Sequence, residues 1–287
     1  MKRIFYCFIG LLLVVNASAD VGVRMLSAEQ GARAIGMGGA YTSITADPFS
    51  AAYNPASVRG VTTFTGSFGY NSYWENSRIE SGYIAFEKRA ITFLAGMQFA
   101  AVDNIEGRVI AHDDFYEFSA HDINFKVGAA FELEPNYYLG FAVGWISEKI
   151  DNYSDFAFNF DLGLMFQAYP DLYVGIAVLN YGSTLKLAEE AYDLPTMYRG
   201  GVSYTMYDIT GAVDLVQFDG EIYTHIGSEY NYKDMLFIRG GYRIGYDTKD
   251  FSAGAGFTKR NFRIDYAFLP FSGSLGSAHT FNLTFHL

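Results

Sequence analysis

Ser203, Asp214 and His225 follow one another at equal intervals of eleven residues. A hydroxyl, a carboxylate and an imidazole are the nucleophile, orienting acid and base of acyl transfer when the fold brings them within hydrogen-bond reach. Residues 31–40, GARAIGMGGA, suggest a second chemistry, because Gly36-Met37-Gly38 begins like the glycine fingerprint that lets a backbone approach a pyrophosphate. Acidic groups (Asp113-Asp114 with Glu117, and Glu189-Glu190 with Asp193) could hold a divalent cation or a basic partner. Each possibility depends on the elements that would carry these residues.

The dinucleotide reading fails on those elements. The sixth fingerprint position is Tyr41 rather than Gly, no strand precedes Gly36 and no βαβ pattern follows it. No Walker-type G-K-[ST] occurs, and the acidic groups lack EF-hand spacing. The five histidines (His112, His121, His225, His279, His286) have no metal-ligand spacing, so neither metal nor cofactor is expected. Phe115, Tyr116, Phe118 and Tyr192, close to the acidic groups, suit an aromatic girdle at a membrane surface.

The first nineteen residues, MKRIFYCFIGLLLVVNASA, read as a cleaved export signal. Lys2 and Arg3 precede an apolar run from Ile4 to Val15, and Ala17-Ser18-Ala19 forms the cleavage site. Cleavage removes the only cysteine, Cys7, and leaves 18 basic residues against 31 acidic ones. That balance excludes a nucleic-acid partner, whose phosphates need Lys and Arg.

The remaining chain is rich in Phe (26), Tyr (23) and Gly (30), with six prolines and no further long apolar run. Its dominant pattern has period two. In 122–133, Ile123, Phe125, Val127 and Phe131 alternate with Asp122, Asn124, Lys126 and Glu132. In 156–166, four alternate positions from Phe156 to Leu162 oppose Ala157, Asn159, Asp161 and Gly163. Such strands separate lipid from a polar lumen. The segmentation predicts an all-β transmembrane barrel of about fourteen antiparallel strands. Short turns, near Lys88-Arg89, Pro135-Asn136, Pro170-Asp171, Tyr207-Asp208, Lys233-Asp234 and Lys259-Arg260, alternate with longer loops that include 102–120, 147–154, 180–195 and 217–220. An even strand number returns both barrel ends to one side of the membrane. Ser203, Asp214 and His225 then read as ordinary lumen residues, and no enzyme is expected.

The closing strand places Phe281, Leu283, Phe285 and Leu287 on one face against Thr280, Asn282 and Thr284. It resembles the terminal signal read by the outer-membrane assembly machinery. The expected domains are 1–19 (signal peptide), 20–60 (a segment plugging or lining the lumen) and 61–287 (barrel).

Residues 31–57, GARAIGMGGAYTSITADPFSAAYNPAS, resemble the N-terminal signature of the PorV/PorQ family of FadL-related outer-membrane barrels. Gly31, Arg33, Gly36, Met37, Gly38, Gly39, Asp47, Asn54 and Pro55 match, whereas Pro48 and Ser57 depart from the pattern. Near the end, Leu275, Gly276 and His279 resemble the family's last hairpin. The resemblance implies a cell outer-membrane protein accessory to type IX secretion or surface attachment of cargo. Its partners would be outer-membrane lipid, secretion components and cargo proteins. The alternative it implies is a FadL-like channel for hydrophobic small molecules. The glycines of 31–40 are expected to let a short helix or turn pack inside a narrow barrel. Arg33 is expected to face Asp122, Asp161 or Asp265.

Overall fold

The protein, in a computed structural model, is described at residues 23–73, 77–108, 116–187, 189–273 and 275–287. The expected signal peptide lies outside these residues, as do Asp113, Asp114, Phe115 and His112.

Period-two sequence becomes a closed antiparallel barrel. Its strands are β1 (Thr65–Ser72), β2 (Ser77–Lys88), β3 (Ile91–Gly107), β4 (Tyr116–Glu134), β5 (Tyr137–Ile150), β6 (Tyr153–Tyr169), β7 (Leu172–Gly182), β10 (Met197–Met206), β11 (Ile209–Phe218), β12 (Glu221–Tyr232), β13 (Leu236–Ile244), β14 (Phe251–Lys259), β15 (Phe262–Pro270) and β16 (Ser277–His286). Neighbours in sequence pair, β7 pairs with β10, and β1 pairs with β16 to close the sheet. A separate hairpin, β8 (Leu185–Leu187) with β9 (Glu190–Tyr192), sits in the β7–β10 connection.

The alternation sorts side chains as a bilayer demands. Phe125, Phe158, Leu162, Ile264 and Phe281 are exposed on the outer face, while Asn124, Asn159, Asp161, Asp265 and Asn282 are buried within. Outward aromatics gather near the short-turn end (Tyr169, Tyr204, Tyr232, Phe262) and the opposite end (Phe156, Tyr181, Phe251), the positions of interfacial belts. Closure leaves no unpaired edge in lipid. No described helix is long and apolar enough to cross a membrane.

The connections depart from strict alternation in length. The expected loops 147–154 and 217–220 are tight turns, since β5 ends at Ile150, β6 starts at Tyr153, and Asp219-Gly220 alone join β11 to β12. Asp219 and Gly220 both have positive φ (54° and 77°), the geometry of a two-residue hairpin turn. Most of 102–120 is strand: β3 and β4 continue pairing as far as Gly107 and Tyr116, past a register shift between Val102 and Ile105. Strands of 17–19 residues exceed the roughly ten that cross a bilayer, so β3, β4 and β6 stand higher than the rest of the wall.

Candidate functional site: a charged lumen and its rim

Residues 23–61 touch strands all around the barrel and are largely buried inside it. They form no long element because the sequence punctuates them. Gly31 (φ +86°) starts α1 (Ala32–Gly36), and Gly38 and Gly39 (φ +66° and +73°) end it in a left-handed turn. Asp47 and Asn54 each precede a proline and cap a single 3-10 turn. The Asp47 carboxylate accepts from the Phe49 N–H at 2.9 Å, and Asn54 Oδ1 from the Ala56 N–H at 3.0 Å. Pro48 and Pro55 thus occupy the first helical position, where a missing N–H costs nothing.

Six side chains form a closed ring of alternating charge in this lumen. Arg33 donates to Glu229 (Nε–Oε2 2.9 Å, Nη2–Oε1 2.7 Å), which also accepts from Arg239 at 2.6 Å. Arg239 bonds Asp265 at 2.7 Å, and Asp265 accepts from Arg263 at 2.8 Å. Arg263 reaches Asp47 at 2.9 Å, and Asp47 lies 3.7 Å from Arg33. Two members belong to the inner segment and four to β12, β13 and β15. Burial raises the Asp47 carboxyl, but Arg263 and Arg33 outweigh it and hold the group below its ordinary value.

The expected partners of Arg33 are corrected by this ring. Asp161 is taken by Lys126 at 2.6 Å, Asp265 by Arg239 and Arg263, and Asp122 lies across the register from Glu148. Glu229 carries the charge opposite Arg33 because α1 packs against the β13–β16 side of the wall.

Ser203, Asp214 and His225 are close in the fold but bound to other groups. Asp214 and His225 face one another across β11 and β12. The Asp214 carboxylate accepts from the Tyr41 and Thr42 N–H groups (2.8 and 2.9 Å), from Thr42 Oγ1 at 2.6 Å and from Arg199 at 3.0 Å. Ser203 Oγ donates to the Ser43 carbonyl at 2.9 Å, and His225 Nε2 bonds Tyr246 Oη at 2.9 Å. None of the three orients another; Asp214 and Ser203 instead clamp residues 41–43 to the wall. Arg199 adds bonds to the Gly39 carbonyl and Thr42, with its guanidinium over the Tyr53 ring.

Glu29 forms a third anchor, with both carboxylate oxygens on Arg243 and Lys249 3.6 Å away. Burial pushes this carboxyl up, yet Arg243 and Lys249 prevail and keep it well below the usual carboxylate range. At the rim, Lys126 bonds Asn180 at 2.8 Å, and Asn180 donates to the Leu26 carbonyl at 3.1 Å.

Wall glycines let the segment lie against the sheet. Gly227 and Gly241 face Met37 and Gly38, and Gly254 faces Gly36, where an added Cβ would stand 3.1 Å from the opposing Cα. Gly140 and Gly163 meet Pro55, Ala56 and Asn54 so closely that no side chain fits. Asn54 also donates to the Leu164 carbonyl on β6 at 3.1 Å. Every residue of the N-terminal signature thus lies in the lumen. The remaining sequence-predicted residues lie elsewhere. Leu275 and Gly276 occupy the β15–β16 loop. His279 is on the outer face, bonded to Tyr266 Oη at 2.8 Å and Ser277 Oγ at 3.1 Å. Phe281 and Leu283 are exposed on the same face, with Leu287 beyond the strand.

At the end opposite the short turns, the β8–β9 hairpin folds over the lumen. Leu185 and Leu194 pack on Val23, Met25, Leu26, Ile146 and Ala157. Between the hairpin and the β5–β6 turn lies a recess of about 430 Å³. Ile150, Tyr153, Leu187 and Tyr192 give it an apolar lining, and Glu148, Glu189 and Glu190 edge it.

Sequence reading missed Arg199, Glu229, Arg239, Arg243 and Arg263. Their signal was charge on the small-residue phase of strands that otherwise alternate cleanly. No protein-family model and no curated protein sequence matches the chain. Among solved structures, the Pseudomonas putida toluene transporter TodX is similar with a TM-score of 0.67 at 11% identity, over 89% of this chain and 96% of that one. A Pseudomonas aeruginosa FadL homologue is similar with a TM-score of 0.60 at 11% identity, over 93% and 99%. Residues 65–287 make up less than four-fifths of the chain, so both similarities extend into the inner segment. The chain has the closed fourteen-stranded barrel fold of these proteins, filled from within by its own N-terminal residues.

Proposed function

We propose that the chain is a non-enzymatic outer-membrane barrel, exported by a cleaved signal within residues 1–19, that passes small hydrophobic solutes. In this reading residues 20–60 are its luminal gate. The observation that carries it is the fold shared with a toluene transporter over strands and inner segment together. The apolar recess at the rim supports it, because it offers a solute a place to leave water before meeting the gate. The ion pairs are compatible with a gate. Each is a discrete contact that a displaced segment can exchange for water, unlike a continuous apolar core.

Retention of exported cargo, the use implied by the PorV/PorQ resemblance, rests on the signature at 31–57. Arg33, Asp47 and Asn54 of that signature hold the segment in place. Either function needs this, so the signature does not favour secretion. The test is entry of the neutral dye N-phenyl-1-naphthylamine into Gram-negative cells displaying the full chain. Entry several-fold faster than in cells without it is expected, and equal rates would sink the reading.

A further inference from the structure

The acidic edge of the recess carries a charge that the protein leaves without a partner. Glu148 is only 8% exposed, yet among the described residues no hydrogen bond or ion pair engages its carboxylate. Its direct neighbours across the sheet are Asp122 on β4 and Asp155 on β6, so three inward carboxylates stand side by side. Like charges in direct register repel, and a buried carboxylate without a counter-charge is costly. The basic residues nearest in sequence give no relief. Lys149 alternates to the opposite face of β5. Lys186, exposed on the hairpin, bonds Asp155 through its backbone N–H at 2.7 Å. Glu189 and Glu190 add negative charge from the other side, with Glu190 accepting from Tyr192 Oη at 2.6 Å.

Carboxylates beside tyrosine rings and an aliphatic floor complement a ligand with an ammonium head and an apolar body. The ammonium is attracted by the acids and by ring faces, and the body covers Ile150 and Leu187. From this we infer that the recess selects hydrophobic solutes bearing a cationic ammonium group and discriminates against carboxylate amphiphiles. The inference rests on the reading of the recess as an acceptor for apolar solutes and specifies its substrate class.

The full chain in neutral sugar-detergent micelles, which contain no ammonium lipid, is titrated calorimetrically at pH 7.5 with octyltrimethylammonium, octanoate and 1-octanol. The cation should bind at least tenfold tighter than either other probe. Glu148→Gln should lower the ratio of cation to octanol affinity about tenfold. Glu189→Gln and Glu190→Gln, in the hairpin and outside the barrel wall, should each lower it two- to threefold, which keeps the test decisive if the Glu148 variant fails to fold. Equal affinities for all three probes, or a cation preference that survives these substitutions, would overturn the selectivity and leave hydrophobic-solute acceptance standing. Binding of none of the probes would overturn both.

Discussion

Arg33 and Glu229 stand 196 residues apart in sequence and meet through two hydrogen bonds, at 2.9 and 2.7 Å, inside the barrel. The pair ties α1 to β12 within the six-membered ring. Removing one partner strands a buried charge, which costs about 3 kcal/mol. Arg33→Met should therefore lower unfolding stability by roughly that amount in urea titrations of vesicle-inserted protein. Because Arg239 and Asp47 share the ring, the double variant Arg33→Met/Glu229→Gln should fall short of the summed losses by about 1 kcal/mol or more. Additive losses would show that the two residues act independently.

Asp214 is the largest single anchor of residues 39–43, accepting from two backbone N–H groups, one hydroxyl and Arg199. Asp214→Asn preserves shape but removes the counter-charge of Arg199. Hydrogen exchange of the Tyr41 and Thr42 amides should accelerate at least tenfold, while amides of β3–β5 keep wild-type protection. Uniform loss of protection would mean that the clamp supports the whole barrel.

Gly38 combines a positive φ with close approach, since a Cβ would stand 2.8 Å from the Ile226 carbonyl oxygen and 2.9 Å from the Tyr242 nitrogen. Gly38→Ala should cost more than about 2 kcal/mol from backbone strain and steric overlap. Gly240, on the adjacent strand, has nothing within 4 Å, and Gly240→Ala is the matched control that should stay near wild type. Unfolding midpoints of the two variants test the contrast.

Glu29 and Asp47 give the inner segment an acid limit. Both carboxyls are held below their ordinary values of 4.5 and 3.8 in the folded chain, so the unfolded chain binds more protons under acid conditions. Their stabilisation is fully present above pH 4.5 and is lost as pH falls toward their folded values. Urea midpoints measured from pH 7 to pH 3 should be flat at first and then decline. Glu29→Gln should make the decline shallower, and an unchanged slope would contradict the assignment.

The barrel was legible because lipid on one side and a polar lumen on the other enforce a strict two-residue rhythm. The tight turns at 151–152 and 219–220 were harder to see. Asp-Gly at 219–220 is a turn signal, but the parity of barrel connections argued for a loop there. The height of β3 and β4 was hidden for a related reason. Charged residues beyond Val102 suggest a loop, although a strand standing above the bilayer can carry charge on both faces. The equal spacing of Ser203, Asp214 and His225 suggests a triad, yet what Asp214 and Ser203 bind is set by residues 41–43, which approach from inside. The Arg33–Glu229 pair was illegible in principle. Finding it requires the rotational position of α1 within the barrel, which no local pattern encodes.

The inner segment completes the wall electrically as well as sterically. It directly precedes β1 and touches strands on every side, while the cylinder is completed only when β16 docks on β1. Seating it brings Glu29 onto Arg243 and Asp47 onto Arg263, whereas Arg199 and Arg239 find Asp214, Glu229 and Asp265 on the wall itself. Residues 23–61 thus carry the carboxylates that complete the charge balance of the wall they fill.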